Sequence, residues 1–91
     1  MNTEKKNDGQ GQIDVNKDQT HSLILLNDDY HTFDYVIDAL IQICGLEPEQ
    51  ATQCTFLIHF KDKCEVKHGS KDLLIPMRRE LGKRDLKAEI K

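Results

Sequence analysis

The sequence holds no apolar run longer than the four residues Leu23-Ile24-Leu25-Leu26. A membrane helix needs roughly 18 or more, so no such span is expected. The N-terminus, Met1-Asn2-Thr3-Glu4-Lys5-Lys6, leads into polar residues and not into an apolar segment. A secretory leader is therefore not expected, and the reading is cytoplasmic. A basic excess is missing as well: 13 Lys and Arg face 16 Asp and Glu, for a net charge of -3. A surface that tracks phosphates carries an excess of cations on one face, so nucleic acid is not an expected partner. Cys44, Cys54 and Cys64 are odd in number, widely spaced and without a C-x-x-C pair. They read as reduced thiols and not as a disulfide framework. Zinc ligands come in close pairs. These cysteines and His21, His31, His59 and His68 supply none, so neither metal nor other cofactor is expected. There is no tryptophan, no glycine-rich phosphate loop and no serine or cysteine in a nucleophile elbow. At 91 residues the chain has room for one domain and little for both a core and a catalytic cleft. It reads as a binding module, not an enzyme.

What is present divides the chain. Residues 1–20 carry, beyond Met1, only Ile13 and Val15 as aliphatics. Ordering a backbone costs about 1–2 kcal/mol per residue, which so little apolar area does not offset. A flexible extension is expected over 1–20 and a folded domain over 21–91.

Ser22–Leu26 suits a buried strand, stopped by the turn-forming Asn27-Asp28-Asp29. Thr32 caps a helix from Phe33, with Asp34 in its first turn and Gly45 at its C′ position. Val36, Leu40 and Ile43 mark one face, flanked by Phe33, Ile37 and Ile41. Pro48 suits the first turn of a second helix, with Ala51, Cys54 and Ile58, and Leu57 beside them, as its inner stripe. Cys64–Lys67 alternates as an edge strand. Ser70 caps a third helical pattern with Leu73, Met77 and Leu81 on one side, interrupted by Pro76. The helix is either kinked there or begins at Ile75. Leu86–Ile90 alternates as a last strand. The order strand-helix-helix-strand-helix-strand predicts an α+β fold: a small three-stranded antiparallel sheet with three helices packed against it.

The unusual feature is Asn27-Asp28-Asp29-Tyr30-His31, between a buried strand and a helix. Paired carboxylates can bind a cation or do acid–base work, which leaves open a small cation-binding or acid–base protein using Asp28 and Asp29. The same residues are also ordinary turn and capping chemistry. His59, late in the second helix, fits either a satisfied histidine or a functional one.

Leu25-Leu26-Asn27-Asp28-Asp29-Tyr30, then a helix, then Glu49-Gln50-Ala51-Thr52-Gln53 and Ile58-His59-Phe60, resembles the ClpS family. The resemblance covers residues 22 to 67 well and the C-terminal third loosely. Members are adaptors that deliver substrates bearing N-terminal degradation signals to an ATP-dependent Clp protease. The resemblance implies that Asn27, Asp28 and His59 bind the α-amino group of a substrate N-terminus. It also implies that Phe33, Val36, Thr55 and Ile58 line a pocket for a bulky apolar first side chain. An α-ammonium has three donors and needs convergent acceptors, and charge-assisted bonds are the stronger kind. His59 accepts only when one ring nitrogen is unprotonated, so capture should weaken in acid. The implied partners are the N-terminal domain of a Clp chaperone and substrate N-termini, with no nucleic acid and no membrane. The implied state is a monomer, and the implied role of a flexible N-terminal extension is to engage the chaperone. Bacterial members usually carry methionine at the positions of Phe33 and Thr55, and Thr-Pro where this chain has His31-Thr32. Lys87 stands near an often apolar position. These departures give the alternative: a chaperone-binding modulator of the same fold with lost or altered degron recognition.

Overall fold

Strand β1, His21–Leu26, is the centre of the sheet in a computed structural model that describes residues 20–91. Apart from Thr20, the extension expected over 1–20 lies outside the described residues. β1 pairs antiparallel with β2, Lys63–Gly69, on one side and β3, Ala88–Ile90, on the other, giving the order β2-β1-β3. Successive residues of a strand point to opposite faces. Leu23 and Leu25 are accordingly buried, with Cys64 and Ala88 across from Leu25 and Ile90 across from Leu23. Ile24 lies between Glu65 and Glu89 on the other face. The register slips between Leu23 and Ile24, and Val66, the residue left over at that bulge, is buried.

Three helices cover the apolar face: α1, Phe33–Cys44, α2, Pro48–Lys61, and α3, Lys71–Lys83. The fold is the expected α+β arrangement of three helices on a three-stranded antiparallel sheet. α1 begins where Thr32 Oγ1 accepts the Tyr35 N–H at 3.2 Å. It ends at Gly45, whose φ of +70° is open to glycine at little cost. The Gly45 N–H reaches Ile41 O at 3.1 Å and the Leu46 N–H reaches Leu40 O at 3.4 Å, so the carbonyls of Leu40 and Ile41 are satisfied as the chain turns towards α2. Pro48 opens α2, where its missing N–H is no loss. The core is built on Leu23, Leu25, Leu40, Cys44, Leu74 and Leu81.

One alternative of the sequence reading falls away, and three details differ from it. α3 starts at Lys71 and runs through Pro76 to Lys83; it does not begin at Ile75. Pro76 deprives the Asp72 carbonyl of its donor, but both residues are exposed and water can replace it. The inner stripe of α3 is Leu74, Met77 and Leu81, while Leu73 is 42% exposed. Leu73 instead lies over Gly69, where any Cβ would stand 2.8 Å from Leu73 Cδ2. Leu57 faces outward and Thr55 takes a buried place on α2. The last strand is shorter than Leu86–Ile90, because the Leu86 N–H bonds Leu81 O at the end of α3, at 3.0 Å, and not β1.

All three cysteines are free. Burial pushes the Cys44 thiol up to about 11 and the Cys64 thiol up to about 12, the latter helped by contact with Cys54. Among the described residues, no three His, Cys, Asp or Glu side chains converge as a metal would require. No helix among them is long and apolar enough to cross a membrane.

Candidate functional site

The loop between β1 and α1 is held from both ends. The Asn27 N–H donates to Asp62 O at 2.8 Å, tying the end of β1 to the end of α2. Asn27 Nδ2 reaches Asp29 Oδ1 at 3.5 Å, which leaves the side-chain carbonyl of Asn27 as an acceptor. Asp28 folds the next turn around itself. Its Oδ1 accepts the backbone N–H groups of Tyr30 and His31, both at 2.9 Å, and its Oδ2 accepts from His31 Nδ1 at 3.0 Å. Partial burial pushes the Asp28 carboxyl up. The bonds from the backbone and ring of His31 and the backbone of Tyr30, with the His31 charge, outweigh this and hold it below its ordinary value. The carboxylate is thus ionised and already serves as a local turn-former.

The wall opposite comes from the two helices. Phe33, at the first position of α1, meets Phe56 at 5.1 Å and His59 at 5.2 Å, both edge to face. Val36 follows one turn later. Thr55 and Ile58 face it from α2; Thr55 is buried, and its hydroxyl donates to Ala51 O at 2.8 Å. That internal bond lets a hydroxyl residue line an apolar wall without an unpaired polar atom. His59 is exposed, edge-on to Phe60 at 5.0 Å, and its ring nitrogens bond no other described residue.

One cleft of about 350 Å³, counted to its open mouth, gathers Asn27, Asp28, Phe33, Val36, Thr55, Ile58 and His59. All seven site residues expected from the sequence therefore share one cavity. The cleft also includes Leu25, Leu26, His31 and Leu86, which sequence reasoning did not assign. No residue type marked His31 for the cleft; the turn that Asp28 folds brings its ring back to the carboxylate.

The sequence profile described as "ATP-dependent Clp protease adaptor protein ClpS" matches residues 16–89. The chain belongs to the ClpS family. A curated ClpS adapter protein of Salmonella gallinarum is 40% identical over 43 residues, which are 47% of this chain and 41% of that protein. Its counterpart from Acetivibrio thermocellus is 37% identical over 51 residues, 56% of this chain and 52% of that one. The matched stretch thus spans about half the length of these ClpS relatives. Among solved structures, Agrobacterium tumefaciens ClpS2, in a complex with L-phenylalaninamide, superposes with a TM-score of 0.74 at 20% identity. That match covers 81% of this chain and 96% of the other, and at this identity it speaks for a shared ClpS fold alone.

Proposed function

We propose that this chain is an adaptor that binds the free α-amino group and bulky apolar side chain of a substrate N-terminus, and delivers the substrate to an ATP-dependent Clp chaperone-protease. The observation that carries the reading is the composition of the cleft between the β1–α1 loop and the two helices. Asn27, Asp28 and His59 offer polar acceptors at its rim, and Phe33, Val36, Thr55 and Ile58 offer an apolar wall. An N-terminal residue has the same two-part chemistry, a cation beside an apolar group, and terminus capture is a known recognition mode. Membership of the ClpS family supports the delivery half, with the chaperone's N-terminal domain as docking partner and the adaptor acting as a monomer. Residues 1–20 are the leash in this scheme: deleting them leaves peptide capture intact and abolishes delivery.

The test is a fluorescence titration with a Leu- or Phe-initiated peptide and its N-acetylated twin. The free amine should bind and the acetylated peptide should not; equal binding of the two, or none, sinks the proposal. One observation favours the second reading, a chaperone-binding modulator without degron recognition: the Asp28 carboxylate is already engaged by Tyr30 and His31. A chain of that kind would associate with the chaperone and change its choice of substrate while ignoring both peptides.

A further inference from the structure

His31 is held closely in the wall of the cleft. Its side chain is only 9% exposed. The ring stacks on Tyr35 at 4.6 Å, with 13° between planes, and takes the edge of Tyr30 at 5.0 Å. Tyr35 is fixed in turn, its hydroxyl donating to Arg84 O at 2.8 Å. Held this way, the imidazole directs Nδ1 to within 3.0 Å of Asp28 Oδ2 and 3.2 Å of Oδ1.

The bonding fixes which nitrogen can change state. An ionised carboxylate only accepts, so Nδ1 carries a proton whether the imidazole is neutral or cationic. The bond to Asp28 survives protonation; the proton that comes and goes is on Nε2. The charged groups near the ring are few. Asp28 faces it from the β1–α1 loop, and Asp85 Oδ2 stands 3.9 Å from Nε2, exposed, in the turn after α3. Arg84 in that turn is directed to Asp38 at 3.1 Å. On the α2 side His59 lines the same cleft.

We infer that His31 is a positioning residue that also sets the charge of the capture site. When neutral it fixes the Asp28 carboxylate and leaves its negative charge to an incoming ammonium. When protonated it pairs that charge off and turns cations away. The inference rests on the N-terminus reading above and adds its protonation condition. Thermodynamic reciprocity then requires that a bound ammonium and a proton on His31 oppose each other by the same factor. Each proton that must leave weakens capture by up to about tenfold per pH unit in acid.

The test uses the full chain with labelled histidine rings and L-phenylalaninamide as probe, at about pH 6, where an ordinary imidazole is partly charged. Methyl signals of Val36 and Ile58 report occupancy, and the His31 ring signals report its charge. Occupancy should drive the His31 ring towards its neutral form, and N-acetyl-phenylalaninamide should not. Occupancy with an unchanged His31 ring overturns this inference and spares the N-terminus reading; no occupancy at all overturns both. A pair of variants gives a second reading. His31→Asn keeps an amide donor near the place of Nδ1 but cannot ionise. It should bind more tightly than His31→Ala at neutral pH, and its affinity should fall less steeply in acid than that of the unaltered chain. An Asn variant with the same acid slope as the unaltered chain contradicts the proposal.

Discussion

Phe33 and His59 stand edge to face with ring centroids 5.2 Å apart, so the apolar wall of the cleft and one of its polar acceptors are in direct contact. A change in one ring moves the other. The position of Phe33 also limits what the cleft can admit, because a rigid ring braced by Phe56 and His59 does not reshape around a guest as a methionine does.

Phe33→Met should therefore broaden the set of N-terminal residues accepted. A panel of peptides differing only in the first residue measures this. The unaltered chain should favour one or two side-chain shapes, and the variant's affinities should lie closer together. An identical ranking in both would mean that Phe33 does not set selectivity.

Asp28 carries two loads, and they separate by experiment. Replacing it with alanine removes acceptors for the Tyr30 and His31 N–H groups, which costs about 1 kcal/mol of stability by analogy with a lost helix cap. Capture of a free amine should fall further, by about 2–5 kcal/mol, as when one partner of a desolvated charge pair is removed. Urea denaturation reads the first loss and peptide titration the second. Equal losses in both would leave Asp28 with a structural role alone.

Acid should unfold the chain partly through the same residue. The Asp28 carboxyl lies below its ordinary value of 3.8 in the folded state, so its charge contributes stability above that pH. The contribution is lost as pH falls through the lower, folded value. Urea midpoints of the unaltered chain and Asp28→Asn should differ at about pH 6 and converge as the pH falls below the ordinary carboxyl range. A constant difference would show that the carboxylate charge is not involved.

The two leucines of α3 test the packing. Leu74 is fully buried, whereas Leu73 is 42% exposed. Leu74→Ala should cost about 2–5 kcal/mol, and Leu73→Ala well under half of that, its loss confined to the cover over Gly69. Comparable losses would contradict the orientation of α3.

Which features the sequence disclosed depended on how local their causes are. The ends of α1 were legible because Thr32 and Gly45 act on the nearest turn. The seven cleft residues were legible only through the motif resemblance, since Asn27 and His59 lie 32 positions apart and no local rule joins them. The choice between Leu73 and Leu74 was not legible, because both fit a helical stripe and only packing against the sheet decides. Pro76 left two helix starts open for a related reason: the penalty for an interior proline is local, but the exposure of Asp72 and Pro76 that softens it is set by the fold. No role in the cleft was legible for His31 in the sequence; its bond to Asp28 depends on a turn geometry that no residue type announces.

The central claim is that Asp28 recognises the α-amino group itself. A four-way titration isolates it: unaltered chain and Asp28→Asn, each with a Phe-initiated peptide and its N-acetylated twin. If the carboxylate pairs with the ammonium, the two changes are coupled by about 1–3 kcal/mol, and acetylation matters far less once Asp28 is replaced. If acetylation costs the variant as much as it costs the unaltered chain, Asp28 does not recognise the amino group and the account fails.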